Sequence, residues 1–281
     1  MPTYPAPAPI DLVIAWQVGA IRLIASDRAD AIVTVAPTNP DREADRRGAE
    51  QTTIEFDGAC LRVTGPKPRL SIIGPTESVD LEVLLPATSR VTVKQAVGAL
   101  TATGRLGATR ATCSMGPVDL ESTGELFIRA GLGGATVGRA HGGAEITADH
   151  GAIRVGTIDG DALLKASHGS VTLAEVGGEL EARLSYGDLE IGRALAGVTA
   201  KTAYGSVRID EVSAGSIDLQ SGLGAVAVGV REGVAAWLDL ASKEGRVRNA
   251  LEGDAGPVVD QPTVSVRART RFGDVVIERA R

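Results

Sequence analysis

The chain has 281 residues, 35 of them Gly, so Gly is nearly twice as frequent as the roughly 7% that is usual in globular proteins. Hydrophobic residues make up 43% and charged residues 23%, which is typical of a folded chain and excludes wholesale disorder. The net charge of −6 disfavours nucleic acid as a partner.

Residues 1–9, with the sequence MPTYPAPAP, predict a short extended arm, because Pro favours extended backbone. They lack the cationic segment of a signal peptide, and no later run approaches the roughly 20 apolar residues of a membrane span. Cys60 and Cys113 stand outside any Cys-x-x-Cys motif, which favours buried thiols in a reducing compartment and leaves a disulfide between them open. We therefore expect a cytoplasmic protein without a membrane span.

Residues 10–97 predict a section of β-strands that caps one end of the domain. Asp57-Gly58 is a hairpin signal, and the charged segment 41–50 predicts a surface loop or one short helix. The predicted strands are residues 12–18, 20–25, 31–35, 53–56, 60–63, 79–85 and 91–94.

Residues 98–251 contain a repeat of about 18 residues. Each unit has two halves, and in most halves a Gly is followed by apolar residues two and four positions later. The first series is Gly98, Gly116, Gly133, Gly151, Gly169, Gly187, Gly205 and Gly224; the second is Gly107, Gly124, Gly142, Gly160, Gly178, Ala196, Gly215 and Gly233. A period of two is typical of strands, and Gly supplies turns with positive φ. The repeat predicts an all-β fold, a parallel β-solenoid with coils of about 18 residues.

Residues 252–281 predict a loop, through residue 262, and then strands at 263–269 and 272–277 that cap the other end. The last strand carries a further copy of the motif, FGDVVI. We expect one elongated domain.

Two segments carry a resemblance to a known family. LLPATSRVTV at 84–93, which leads into the repeats, and RTRFGDVVIERA at 269–280 resemble bacterial β-strand-repeat proteins of the putative-adhesin family, domain of unknown function 4097, which is related to the toastrack domains. The resemblance covers residues 79–281. It implies a right-handed β-helix and brings no catalytic signature.

Four ring residues, His150, His168, Tyr186 and Tyr204, precede successive glycines of the first series and would stack in a column. This column is a candidate surface for stacking sugars or binding a metal. Alternatively the rings only stack on one another at the turns, which is favoured by the aliphatic residues and Met at the same position of other coils, namely Val97, Met115, Leu132 and Leu223.

Arg267, Arg269 and Arg271 alternate along one strand face. They predict either an anion-binding patch or a cationic edge that blocks pairing with another strand.

The sequence contains no phosphate-binding loop, no Gly-x-Ser-x-Gly and no His-Glu-x-x-His, so we expect neither an enzyme nor a cofactor. We expect a scaffold or adhesin-like protein that binds a protein partner or itself through solenoid ends or faces. The alternative is a carbohydrate-binding or carbohydrate-active β-helix that takes a glycan on the His/Tyr column.

Overall fold

The computed structural model describes residues 2–66, 77–251 and 262–280. The chain divides into two compact units, Met1–His141 and Gly142–Arg281, and strands make up nearly all the regular structure of the described residues. No helix within these ranges is long and apolar enough to cross a membrane.

The first unit contains two sheets and a short helix. Its elements are β1 (Thr3–Pro5), β2 (Asp11–Val18), β3 (Ile21–Ser26), β4 (Asp30–Pro37), α1 (Glu43–Gln51), β5 (Thr53–Phe56), β6 (Cys60–Thr64), β7 (Val79–Pro86), β8 (Arg90–Val97), β9 (Leu100–Arg105), β10 (Thr109–Met115), β11 (Val118–Thr123), β12 (Leu126–Leu132) and β13 (Ala135–Ala140). One sheet has the order β1-β4-β7-β3-β9-β11-β13, and the other has the order β5-β6-β2-β8-β10-β12. The charged segment forms the helix α1, and β5 and β6 form the antiparallel hairpin that Asp57-Gly58 predicts.

Strands β2 and β3 lie inside the sheets of the first unit. β2 pairs in parallel with β6 on one side and β8 on the other, and β3 pairs in the same way with β7 and β9. Trp16 on β2 is buried, and its indole N–H donates to the Val79 carbonyl at 2.8 Å. A strand from the start of the chain therefore forms part of the core.

The second unit also contains two sheets, and every pair of neighbouring strands described in them is parallel. Its elements are β14 (Ala144–His150), β15 (Ile153–Ile158), β16 (Ala162–His168), β17 (Val171–Val176), β18 (Leu180–Tyr186), β19 (Leu189–Ala194), β20 (Val198–Tyr204), β21 (Val207–Val212), β22 (Gly215–Leu223), β23 (Val226–Val230), β24 (Ala235–Glu244), β25 (Val247–Asn249), β26 (Thr263–Phe272) and β27 (Val275–Arg279). The two orders are β14-β16-β18-β20-β22-β26-β24 and β15-β17-β19-β21-β23-β27-β25.

The register of the second unit reproduces the sequence repeat. Leu164 on β16 pairs with Ala182 on β18, which pairs with Ala200 on β20, an offset of 18 residues at each step. These side chains are buried, while the residues between them face outward. The nearly all-β composition and the two mostly parallel sheets that the repeat predicts are thus confirmed.

The C-terminal strands do not form the outer coil of the second unit. β26 lies between β22 and β24, and β27 lies between β23 and β25, so the earlier strands β24 and β25 are outermost among the described residues. Strands 263–269 and 272–277 are predicted at the end of the domain, because order along the chain is the only guide to their neighbours in the sequence. The predicted loop at 252–261 lies outside the described residues.

A disulfide between Cys60 and Cys113 is excluded. Cys60 lies on β6 and Cys113 on β10, and strands β2 and β8 separate them. Three strand spacings of roughly 4.8 Å place the Cα atoms far beyond the reach of a disulfide. Both cysteines are free thiols.

Candidate functional site

The four ring residues singled out from the sequence form one column on the second unit. The strands β14, β16, β18 and β20 end at these residues, and adjacent strands pair them directly. Ring centroids are 4.8 Å apart from His150 to His168, 5.1 Å from His168 to Tyr186 and 4.8 Å from Tyr186 to Tyr204. The planes are inclined by 7° or less, so the rings stack face to face.

The column continues beyond the four rings. Leu223 on β22 pairs with Tyr204, and Phe272 on β26 pairs with Leu223. About half of each Tyr side chain is exposed, 49% for Tyr186 and 48% for Tyr204, and Leu223 and Phe272 are exposed to a similar degree. We call the surface formed by His150, His168, Tyr186, Tyr204, Leu223 and Phe272 the ridge.

Phe272 is the ridge residue that the repeat spacing alone misses. In the sheet, Phe272 is paired with Leu223. In the sequence, however, it comes after β24 and β25, in the C-terminal segment. A signal for it does exist in the sequence, because Phe272 precedes Gly273 in the last motif copy just as Tyr204 precedes Gly205.

Stacking determines what the ridge can bind. His168 and Tyr186 each have a ring on both faces, so these faces are already covered and only the ring edges meet solvent. Sugars stack on aromatic rings through the ring face, which is not accessible at these two positions. A metal site at the column would also lack ligands, because the described residues contain no group of three or more His, Cys, Asp or Glu side chains that could hold an ion.

Two of the three arginines in the predicted patch pair with a neighbouring carboxylate, and Arg271 is exposed on the same strand. Arg267 Nε and Arg269 Nη2 both donate to Asp239 Oδ2, at 3.0 Å each. The hydrogen bond from Arg269, which has the larger effect, and the one from Arg267 hold the pKa of Asp239 below its ordinary value. Asp239 thus occupies one donor of Arg267 and one of Arg269, and the anion-binding patch stays a prediction. Since β26 has a partner on each side, these arginines do not protect a sheet edge either, and that interpretation is corrected.

The outer strand β24 carries a second exposed surface, which the repeat pattern does not predict. Trp237 points outward with 66% of its surface exposed. The opposite face of the strand holds Leu238 and Leu240, which are only half-buried, whereas Val266 and Ala268 beside them on β26 are fully buried. In the sequence, the signal for this surface is Trp237, which alternates with Ala236 and Leu238 in a largely apolar stretch of β24.

No model of a known protein family and no curated protein matches the chain, so membership in the family that the sequence resembles stays a prediction. Solved structures with a similar arrangement include a "putative adhesin" from Bacteroides fragilis, at 13% identity and a TM-score of 0.39, which covers 98% of this chain and 95% of that one. A "putative lipid binding protein" from Parabacteroides distasonis has 9% identity and a TM-score of 0.44, with 100% and 96% covered. A "putative cell adhesion protein" from Clostridium sporogenes has 11% identity and a TM-score of 0.20, with 99% and 98% covered. All three TM-scores lie below 0.5, so these likenesses carry no argument about function.

Proposed function

We propose that the chain is a non-enzymatic scaffold or adhesin-like protein that binds a protein partner through the ridge. The observation that carries the proposal is the register of six strands, which places a ring or apolar side chain at the same exposed position each time. A contiguous exposed apolar surface of this kind is typical of an interaction site.

A protein partner fits the ridge better than a glycan does. Tyr and Phe side chains carry much of the binding energy in protein interfaces, because they bury a large area at little cost in conformational entropy. Ring edges and the Leu223 side chain are suited to packing against apolar side chains, whereas a glycan needs ring faces, and stacking covers both faces of His168 and Tyr186.

We also propose a specific architecture and a cellular location for the chain. We propose that the parallel sheets are the walls of a right-handed β-helix with coils of about 18 residues, which the family resemblance and the 18-residue register support. We also propose a cytoplasmic location, which is consistent with two free thiols.

The test compares the full chain with Tyr186→Ser/Tyr204→Ser. A protein captured from source cells is purified, and its Kd for each variant is measured by calorimetry. We expect the double substitution to weaken binding at least about tenfold, since two half-exposed Tyr side chains leave the interface. The matched control is Glu190→Ser/Arg208→Ser, a neighbouring exposed pair on β19 and β21 that also leaves the net charge unchanged.

Three results would contradict the proposal. The double variant retains full affinity, the control weakens binding equally, or no purified protein binds the chain. Specific glycan binding or hydrolysis that disappears in the Tyr186→Ser/Tyr204→Ser variant would instead support the carbohydrate alternative.

A further inference from the structure

We propose that β24, the outermost described strand of its sheet in the second unit, pairs with β24 of a second copy, in antiparallel orientation, to make a twofold-symmetric dimer. This inference goes beyond the proposed function, because the partner is another molecule of this chain. It concerns a surface distinct from the ridge.

The outer coil has an open side. Among the described residues β24 pairs only with β26, and β25 pairs only with β27. The Ala235 N–H donates to the Pro262 carbonyl at 2.9 Å, so the amides of alternate residues starting with Ala236 point away from β26. An outer strand with outward-pointing amides is a template for pairing with another strand.

The interior of the outer coil is incompletely covered. Leu238 and Leu240 point inward, as their partners Val266 and Ala268 do, yet they are only half-buried. On β25, Val247 pairs with the buried Val275 and is itself 46% exposed. Apolar side chains that face a core but remain in contact with water gain free energy when a second coil covers them.

Pairing with a second copy extends the sheet that contains β24. A twofold axis perpendicular to this sheet makes β24 antiparallel to its copy, so the sheet continues from one copy into the other. In such a pairing, each inward-pointing residue lies opposite an inward-pointing residue of the second copy. The twofold axis must therefore pass through a residue of β24 and not between two residues.

The outward side chains of β24 suit a pairing centred on Leu240. Lys243 then lies opposite Trp237 of the second copy, where an ammonium group over the indole is attractive, and this contact occurs twice. Asp239, which already accepts hydrogen bonds from Arg267 and Arg269, lies opposite Ala241 of the second copy in this register.

Head-to-tail association fits the structure less well. It would pair β24 with an outer strand of the first unit, where β1 has three residues and includes Pro5, and β5 has four residues. Short outer strands and Pro residues oppose strand addition. β24 has ten residues and no Pro, and it is matched in length only by a second β24.

The experiment is sedimentation velocity on the full chain over about a hundredfold range of concentration. We expect a dimer whose dissociation constant rises at least about tenfold in Leu240→Lys, because the substitution places a charge on the inward side of the pairing strand. We expect a similar loss in Lys243→Glu, which removes the contact between the ammonium group and Trp237 of the second copy. The matched control is Lys201→Glu on β20, an exposed position in the same sheet, which should leave the dimer unchanged.

The outcomes separate this inference from the proposed function. A chain that stays monomeric throughout, or a dimer unaffected by both β24 substitutions, overturns the inference. A dimer that is lost only in Tyr186→Ser/Tyr204→Ser also overturns it, and would support the ridge as the interaction surface. If Leu240→Lys fails to fold, as judged by circular dichroism, the exposed substitution Lys243→Glu still decides the question.

Discussion

The glycines that precede strands β17, β19 and β21 each lie against the backbone of the corresponding glycine in the preceding coil. Gly187 has φ +143°, and a Cβ atom on it would lie 2.1 Å from the Gly169 carbonyl oxygen. No side chain fits that space, and the backbone conformation is one that other residues rarely adopt. Gly is therefore required at this position for close contact between coils as well as for the turn.

We predict that Gly187→Ala lowers the free energy of unfolding by about 2–4 kcal/mol, through backbone strain and displacement of the neighbouring coil. The control is Gly233→Ala, where φ is +78° and a Cβ would meet nothing within 4 Å. There we expect only the cost of the left-handed conformation, about 1–2 kcal/mol. Urea unfolding curves measure both, and equal losses would show that contact between coils contributes nothing.

Cys113 provides a prediction about pH. Burial raises the pKa of its thiol to about 11 from an ordinary value of 9.0. Below pH 9 the thiol is protonated in both states, whereas between pH 9 and about 11 it ionises in the unfolded chain and not in the folded one. The thiol's contribution to stability is therefore complete below pH 9 and is lost as the pH rises.

The measurement compares unfolding of the wild type with that of Cys113→Ala across this pH range. The variant is less stable at neutral pH because it leaves a cavity, and the difference between the two proteins should narrow as the pH rises from 9 towards 11. A constant difference would mean that the thiol ionises equally easily in both states.

At the scale of the strand, alternation between buried and outward positions determines the energetic importance of each residue. Leu163 and Leu164 are adjacent on β16, but Leu164 is fully buried between the sheets and Leu163 is half-exposed on the outer face. We predict that Leu164→Ala lowers the free energy of unfolding by about 2–5 kcal/mol and that Leu163→Ala lowers it by less than about 1 kcal/mol. Similar losses from the two substitutions, measured in urea, would contradict the assigned strand face.

The strands of the repeat could be predicted from the sequence because local spacing alone determines them. The apolar residues of each strand alternate with outward residues, and the 18-residue offset fixes which residues become neighbours, so the column from His150 to Tyr204 follows directly. The order of the strands at both chain ends could not be predicted. Nothing local to β26 distinguishes a place between β22 and β24 from a place beyond β24, and for that reason Phe272 and the open side of β24 were not identified.

At the scale of the whole molecule, both units place a strand pair from a chain end inside their sheets. In the first unit β2 and β3 lie between strands that come later in the chain, and in the second unit β26 and β27 lie between strands that come earlier. Asp11 thus pairs with Arg90, and Val226 pairs with Val275. These pairings close long loops, which makes such sheets slow to form, and they also protect the terminal strands from fraying.

This arrangement predicts that the two chain ends differ sharply in how well they tolerate removal. Deletion of residues 262–281 removes β26, which pairs with both β22 and β24, so we expect β24 and β25 to lose their protection from hydrogen exchange and the second unit to unfold at lower urea concentration. Deletion of residues 1–5 is the control, because β1 pairs only with the outer side of β4 among the described residues and no strand lies beyond it. There we expect a small loss, confined to β1 and β4. Retained protection of the β24 amides in the chain that ends at residue 261 would show that β26 is not the strand that holds the outer coil in place.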